Sequence, residues 1–410
     1  LPDGIRRGET VGSNAARREP APEANRHRGD DRNPREHGRS RSPETPLPVG
    51  EPVSERTRDG TPIAPTAAIA TPSIEHERRV GVGHKVRIGL IGCGGMANAH
   101  IRQLLAIPEA EIVAITDPAE AAVQRTLERW PDLRGRVAVC PTYEDLLARD
   151  DVDAVQIHSP HTLHFEQAMA ALAAGKHVMI EKPMVCRVEH AHQLIERWKR
   201  SGKIVLIAYQ RHLQKEFRYA RRVIQSGGIG KIEYIAALQG QEWLRGTRGT
   251  WRQTLELSGG GQINDSGSHL IDIILWVTGE RAEEVFAYQE RFDTPVDINT
   301  AAAIRFRSGA LGTLSVIGNA PSWWEDITFY GSEGALYIRQ GMGLRHLDAA
   351  GKPVDPGDLG ENSNPDRNFV DAILGRDEVQ APPECGLAVI ELTEAAWRSA
   401  KSGRPEKVGS

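Results

Sequence analysis

The chain has 410 residues, a formal net charge of −4 and 39% hydrophobic residues, so its length predicts two domains with additional segments rather than one average domain. No apolar run reaches the roughly 18 residues of a transmembrane helix, so no membrane association is expected. The four cysteines show neither CxxC nor any other metal-ligand spacing. We therefore expect a reduced, cytoplasmic protein without a metal site.

Residues 1–80 differ from the rest of the chain in composition. They contain 14 Arg and 11 Pro but no Lys, Phe, Trp or Tyr. Such a segment buries too little apolar surface to offset chain entropy, so we expect a disordered tail. Its 13 acidic residues nearly balance the arginines, which argues against a nucleic-acid-binding arm. Because the sequence begins with Leu, we interpret it as a fragment or an upstream mis-assigned start, with the natural protein beginning near Val80.

A glycine-rich turn follows the first apolar run, Val86 to Ile91, and opens a helical stretch. The turn has the pattern GxGxxA and consists of Gly92, Gly94, Gly95, Met96 and Ala97. The pattern suits a strand that turns sharply at Gly92, backbone that approaches a pyrophosphate at Gly94, and close helix packing at Ala97. It predicts dinucleotide binding, although glycine turns also serve purely structural purposes.

Asp117 ends the second apolar run, 25 residues after Gly92. A dinucleotide fold places there the carboxylate that binds the adenosine ribose. This carboxylate would repel a ribose 2′-phosphate, and the residues after it, Pro118, Ala119 and Glu120, supply no cation. NAD is therefore favoured over NADP. Asp117 also suits a helix cap before the helical run Pro118 to Trp130.

Short apolar runs and helical stretches continue to alternate, which predicts a parallel sheet in a Rossmann-type domain over residues 84–208. The strand Ala154 to His158 is followed by Ser159, Pro160 and His164, and a later strand ends in Glu181 and Lys182. We expect these five residues to contact the cofactor. Lysine at the carboxyl end of a parallel strand lies where open α/β sheets bind ligands. Lys182 is a candidate active-site cation, and an ordinary surface lysine is the alternative.

A second chemical cluster, Asp265, His269 and Asp272, follows a run of three glycines. If the segment is helical from Ser266, these side chains share one face. Carboxylates one turn away would then fix the tautomer of His269 and raise its basicity, as suits a general base. A helix cap at Asp265 with a buried structural His269 is the alternative. A metal site is disfavoured because no second His stands at ligand spacing.

Together these motifs resemble the Gfo/Idh/MocA family of nicotinamide-dependent sugar and cyclitol oxidoreductases. The resemblance spans residues 85 to about 408. It rests on five pieces in the family's order: the glycine turn, the Ser159-Pro160 loop with His164, the stretch 174–178, Glu181-Lys182-Pro183, and the glycine run that leads to Asp265 and His269.

The resemblance implies catalytic roles for three residues. Lys182 would hydrogen-bond the reacting oxygen, His269 would take the hydroxyl proton, and Asp265 would orient His269 and contact the substrate. It also implies an α+β domain over residues 209–410 with a large open mixed sheet that commonly mediates homodimers or homotetramers. The resemblance does not extend to substrate-specific positions. Candidate substrate contacts there are Asp272, Arg211, His212, Trp251 and Arg252, and for the last four a surface or sheet-packing role is the alternative.

The predicted function is an NAD(P)-dependent dehydrogenase that acts on a secondary alcohol or ketone of a sugar, cyclitol or related polyol. Two alternatives remain open at this stage. Some relatives retain NAD and cleave glycosidic bonds through transient oxidation, and others bind nucleotide as sensors without catalysis. The complete set of Lys182, Asp265 and His269 favours an enzyme.

Overall fold

The computed structural model describes residues 85–409, so the predicted disordered tail at 1–80 lies outside the described residues. The first half of this range forms a six-stranded parallel sheet in the order β3-β2-β1-β4-β5-β6. The order reverses between β1 and β4, and open α/β sheets bind ligands at such a switch point. The strands are β1 Val86–Ile91, β2 Ala110–Thr116, β3 Ala138–Val139, β4 Ala154–Ile157, β5 His177–Ile180 and β6 Val205–Ile207.

Helices connect these strands on both faces of the sheet. Parallel strands need such crossovers, and apolar residues on both faces of each strand pack against them. All four residues of β4, for example, are buried. The helices are α1 Gly95–Leu105, α2 Glu120–Arg129, α3 Tyr143–Leu147, α4 His164–Ala173 and α5 Val188–Ser201.

The second half forms a nine-stranded mixed sheet in the order β14-β13-β12-β11-β7-β10-β9-β8-β15, in which β10 and β7 are parallel. The predicted α/β fold with a large open mixed sheet is therefore confirmed. The strands are β7 Ile232–Glu242, β8 Ala282–Glu290, β9 Asn299–Phe306, β10 Leu311–Ile317, β11 Asn319–Gly331, β12 Gly334–Arg339, β13 Gly343–Asp348, β14 Pro353–Val354 and β15 Glu406–Lys407.

The strands of the mixed sheet alternate buried and exposed residues, as in β9, because one face of the sheet packs on helices. The helices of this half are α6 Lys215–Gln225, α7 Leu255–Ser258, α8 Gly267–Thr278, α9 Pro365–Ile373 and α10 Pro383–Ser402. α9 returns to the parallel sheet, where Phe369 and Val370 join the core around β1. The division at residues 84–208 and 209–410 stays a prediction, and α9 crosses it. No helix among residues 85–409 is long and apolar enough to cross a membrane.

Candidate active site

The glycine turn joins β1 to α1 at the carboxyl edge of the parallel sheet. Gly92 has a φ of +97°, and a Cβ there would lie 2.9 Å from the His158 carbonyl carbon, so both conformation and space require glycine. At Gly94 and Gly95 a Cβ would meet no atom of the described chain within 4 Å. No side chain caps the first turn of α1. These residues fit a pyrophosphate held on backbone amides, and that contact stays a prediction.

Asp117 follows β2 at the same edge and faces the glycine turn. Its Oδ2 accepts a hydrogen bond from the Cys93 amide at 2.8 Å, and its Oδ1 accepts one from the Ala119 amide at 2.8 Å. The alternative helix-cap role is wrong, since the cap of α2 is Ala119 and makes no side-chain bond. Asp117 is only partly buried, which fits a carboxylate beside a ribose.

His164 connects the loops that follow β4 and β5. Its ring nitrogens lie 2.9 Å from the Ser159 carbonyl oxygen and 2.8 Å from that of Pro183. The side chain is fully buried, and burial lowers its pKa. The prediction that His164 contacts the cofactor is therefore corrected: both nitrogens face the protein, and the residue holds the loop of Ser159 and Pro160 against the loop of Lys182.

Glu181 is also buried and acts through its neighbours rather than as a cofactor contact. Its Oε1 lies 2.7 Å from His100 Nε2, and its Oε2 accepts a hydrogen bond from the Lys182 amide at 3.1 Å. The other ring nitrogen of His100 lies 2.8 Å from Asp366 Oδ2. Burial opposes a charge on His100, but Asp366 and Glu181 raise its pKa to about 10. This network fixes the backbone that carries Lys182.

Lys182 meets Asp265 across the two halves of the structure. Lys182 Nζ donates to Asp265 Oδ1 at 2.7 Å, while Arg252 Nε and Trp243 Nε1 donate to Oδ2 at 3.0 and 2.8 Å. Burial alone would raise the pKa of Asp265, but the charges of Lys182 and Arg252 hold it well below its usual range. Asp265 is therefore a fixed anion between two cations.

His269 lies on the first turn of α8, and neither carboxylate holds it. Among residues 85–409 no group bonds its Nδ1. Burial, reinforced by the charges of Lys182 and Arg211, places its pKa well below the usual range. The predictions that Asp265 and Asp272 fix its tautomer and raise its basicity are therefore wrong, because Asp265 bonds cations instead. The fold does bring Lys182, Asp265 and His269 together.

Asp272 is bonded elsewhere: its Oδ2 lies at hydrogen-bond distance, 2.8 Å, from His212 Nε2. Both residues are buried, so the predicted substrate contacts of Asp272 and His212 are corrected to a structural pair. Trp251 packs edge-on against His161 and stacks under Arg252. The Arg252 side chain is 30% exposed, and its Nε forms an ion pair with Asp265.

Arg211, the remaining substrate candidate, lies in a short turn after β6 and is buried. It forms an ion pair with Glu325 of β11.

Sequence reasoning missed several residues of this site. Trp243 donates to Asp265 from 22 positions away, and Asp366 reaches His100 across 266 positions. Nothing local in the sequence signals either contact. His161 Nε2 lies 3.7 Å from Asp265 Oδ1, and burial lowers its pKa to about 3. Its position two residues after Ser159, in the loop that follows β4, was the available signal.

This arrangement defines a class of protein. Oxidation of an alcohol carbon needs a hydride acceptor, a cation near the developing alkoxide and a proton acceptor. The glycine turn and Asp117, which we call the dinucleotide cradle, suit a dinucleotide as the hydride acceptor. Lys182 is the candidate cation, and His269 is the candidate proton acceptor. We assign the chain to the nicotinamide-dependent oxidoreductases.

Comparison with known proteins makes this assignment specific. Residues 86–209 match the model of the oxidoreductase family with an NAD-binding Rossmann fold, and residues 217–337 match the GFO/IDH/MocA C-terminal domain. The chain belongs to the Gfo/Idh/MocA oxidoreductase family. This confirms the predicted family, the oxidoreductase class and NAD as the cofactor.

Similar proteins include two named dehydrogenases. The myo-inositol 2-dehydrogenase of Thermotoga maritima is 28% identical over 62% of this chain and 75% of its own length. The scyllo-inositol 2-dehydrogenase (NAD(+)) of Bacillus subtilis is 26% identical over 66% of this chain and 80% of its own. The crystal structure of the WlbA dehydrogenase from Bordetella pertussis in complex with NADH and UDP-GlcNAcA superposes with a TM-score of 0.72 at 24% identity, and covers 80% of this chain and 98% of that one. At this identity the likeness shows a shared fold.

Proposed function

We propose that the protein transfers hydride between a nicotinamide cofactor and a secondary hydroxyl of a sugar, cyclitol or related polyol. The observation that carries this proposal is the bond of 2.7 Å between Lys182 Nζ and Asp265 Oδ1 at the edge of the dinucleotide cradle, with His269 on the adjoining turn. The sugar and cyclitol dehydrogenases among its relatives support the substrate class.

Lys182 stabilises the developing alkoxide, and His269 takes the hydroxyl proton. His269 is uncharged near neutral pH, since burial and two nearby cations lower its pKa, so it has a lone pair available. A weak base of this kind depends on the Lys182 charge to acidify the substrate hydroxyl. Asp265 holds Lys182 in place. A bound NAD supplies the hydride acceptor.

We also propose that the protein prefers NAD to NADP. The Asp117 carboxylate follows β2 beside the glycine turn, where it accepts backbone hydrogen bonds from Cys93 and Ala119. A ribose 2′-phosphate next to this carboxylate would meet repulsion.

The purified protein with NAD, and separately with NADP, should be tested against neutral sugars, cyclitols and sugar acids by absorbance of the reduced nicotinamide. Reduction of NAD by a polyol supports the proposal. Bound NAD without reduction by any member contradicts it. Release of free sugar from glycosides without net reduction would indicate the redox-assisted hydrolase instead.

The homo-oligomer also stays a proposal. The face of the mixed sheet opposite the helices carries exposed Tyr288, Leu311, Trp324 and Tyr330, at 40–69% relative exposure. A second copy would bury them, as patches of this kind mark interaction sites. Light scattering should give two or four times the monomer mass. The four cysteines are all free, in keeping with the proposed cytoplasmic location.

A further inference from the structure

A cluster of buried polar side chains lies near His269, between the turn after β6 and the helix-covered face of the mixed sheet. Three side chains form it: Arg211, Gln239 of β7 and Glu325 of β11. All three are largely shielded from solvent. Arg211 and Gln239 are 5% and 0% exposed, and the Glu325 side chain is 12% exposed. We call these three residues the Arg211 pocket.

The strand register brings the three groups together. Gln239 and Glu325 are direct partners in the antiparallel pair of β7 and β11, so their side chains stand side by side on one face. Arg211 forms its ion pair with Glu325 on that face. Gln241, two residues further along β7, donates to Ser266 at 2.9 Å, which places this end of the face beside the first turn of α8.

The pocket adjoins the catalytic cluster. The ring of Tyr209, two residues before Arg211 in the turn after β6, packs edge-on against His269 with ring centroids 5.9 Å apart. In keeping with this placement, the Arg211 charge adds to the effects of burial and Lys182 that lower the pKa of His269. The Arg211 pocket therefore lies beside the residues that the proposed function assigns to the substrate.

Several polar atoms of the pocket have no partner among residues 85–409. They are the oxygen and nitrogen of the Gln239 amide and Nη1 of Arg211, and Nδ1 of the nearby His269 is unpaired as well. Buried polar groups are almost always hydrogen-bonded, so these unpaired atoms indicate a partner outside the described chain. Exchanging the amide oxygen and nitrogen of Gln239 leaves both atoms equally unpaired, so the conclusion does not depend on their assignment.

The donors and acceptors of the pocket define the chemistry of its ligand. Gln239 Oε1 needs a donor, whereas Gln239 Nε2 and Arg211 Nη1 need acceptors. A hydroxyl group both donates and accepts, whereas a carboxylate only accepts and an ammonium only donates. Glu325 already neutralises Arg211, so a carboxylate would gain no net attraction and would face Glu325.

We propose that the Arg211 pocket is a substrate subsite that binds adjacent hydroxyls of a neutral polyol ring and disfavours the corresponding sugar acid. This inference rests on the proposed function and adds to it the charge class of the substrate. Gln239 and Glu325 are the specificity-determining residues.

The first test measures equilibrium binding, so it does not depend on turnover. Calorimetry of the protein–NADH complex should use the matched pairs D-glucose and D-glucuronate, and D-galactose and D-galacturonate, together with myo-inositol. The neutral member of at least one pair should bind about tenfold more tightly than its acid. Tighter binding of the acids, or no measurable binding of any neutral compound, overturns the inference.

Variants locate the preference in the pocket. Gln239→Leu should raise KM for the best neutral substrate about tenfold, the worth of one or two hydrogen bonds, with kcat changed less than about threefold. Glu325→Gln leaves Arg211 uncompensated and should shift the neutral-to-acid affinity ratio about tenfold toward the acid. The matched control is Asp326→Asn, on the same strand but paired with Arg339 at 3.1 Å on the exposed face. It should change neither quantity.

The outcomes separate the two proposals. If the wild type oxidises a polyol but Gln239→Leu keeps its KM, or Glu325→Gln shifts the ratio no more than Asp326→Asn does, the subsite is wrong and the proposed function stands. If neutral polyols bind through Gln239 without any reduction of NAD, the subsite stands and the proposed function fails. An adventitious water cluster would leave the affinities of both Gln239→Leu and the control unchanged, which also overturns the subsite.

Discussion

Two carboxylates, Asp265 and Asp272, precede and follow His269 in the chain, and their surroundings shift their pKa values in opposite directions. Asp265 and Asp272 are both buried, at 4% and 2% exposure. Asp265 accepts hydrogen bonds from Lys182, Arg252 and Trp243, and these surroundings hold its pKa well below the usual range. Burial instead raises the pKa of Asp272, whose Oδ1 has no partner in the described chain. Burial penalises both charges, so the partners decide which carboxylate stays an anion.

The same contrast occurs between His100 and His158, whose rings stack 4.7 Å apart. Asp366 and Glu181 raise the pKa of His100 against the effect of its burial. Among residues 85–409, the hydrogen-bond partner of His158 is the Gln156 amide oxygen, 3.2 Å from its Nε2, and burial lowers the pKa of His158 well below the usual range. Neighbouring groups of one type therefore carry different charges, and each contrast can be tested.

The largest expected effect is on turnover. His269→Ala should cut kcat by roughly 10² to 10⁴ if His269 is the proton acceptor, while NAD affinity stays unchanged. Because neither carboxylate holds His269, the melting temperature should change little. Unchanged turnover would remove His269 from the mechanism. A large loss of stability with normal turnover would show that a carboxylate does bond His269. That result would contradict the different partners assigned to Asp265 and Asp272.

The two carboxylates should differ in what their removal costs. Asp265→Asn leaves the Lys182 charge without its anion and should lower the free energy of unfolding by about 3–5 kcal/mol, the usual cost of breaking a buried pair. Asp272→Asn keeps the shape at a position where burial already disfavours the charge, so we expect about 1 kcal/mol. Urea unfolding of both variants at pH 7 measures the difference. Equal losses would contradict the assignment of a fixed anion at Asp265.

These contrasts also explain which features of the fold and of the site could be predicted from the sequence. The glycine turn lies between β1 and α1 and Asp117 follows β2, an arrangement that the sequence can indicate because both lie within one βαβ unit of short sequence separation. Their contacts with the cofactor stay a prediction. A helix after the three glycines was considered on the condition that it begins at Ser266, and α8 begins at Gly267; its apolar run and the preceding glycines are local signals.

The partners of the helix residues were not predicted, because long-range packing decides them. Spacing placed Asp265 and His269 on one face, but Lys182, 83 positions away, takes the Asp265 oxygen that spacing had given to His269. The Arg211 pocket depends in the same way on strand register. Gln239 and Glu325 meet only because β7 and β11 pair, and no motif in either strand signals it.

The histidine pair should show opposite pH dependences of stability. The raised pKa of His100, about 10, means that its contribution is fully present below the unfolded pKa near 6.5 and is lost as the pH rises toward 10. The free energy of unfolding lost in His100→Asn should therefore be largest at pH 6, on the order of 1–3 kcal/mol, and shrink by pH 10.

His158→Asn is the matched control for this measurement. His158 has a lowered pKa and stays uncharged when folded, so it costs stability as the pH falls below about 6.5. His158→Asn should therefore raise the free energy of unfolding, relative to the wild type, only below about pH 6.5. Parallel pH profiles for the two variants would show that the stacked rings titrate as one unit and would end the contrast.

A third carboxylate, Asp117, extends the comparison to one without a cation. Its partners are the backbone amides of Cys93 and Ala119, so Asp117→Ala should cost only about 1 kcal/mol of stability. Its effect should appear in cofactor choice: the ratio of NADP to NAD dissociation constants should fall about tenfold, because repulsion of the 2′-phosphate is removed. Glu128→Ala, at an exposed position on the last turn of α2, is the control and should leave the ratio unchanged. Equal affinities for NAD and NADP in the parent protein would mean that the carboxylate does not face the ribose, and its amide bonds would then be its whole role.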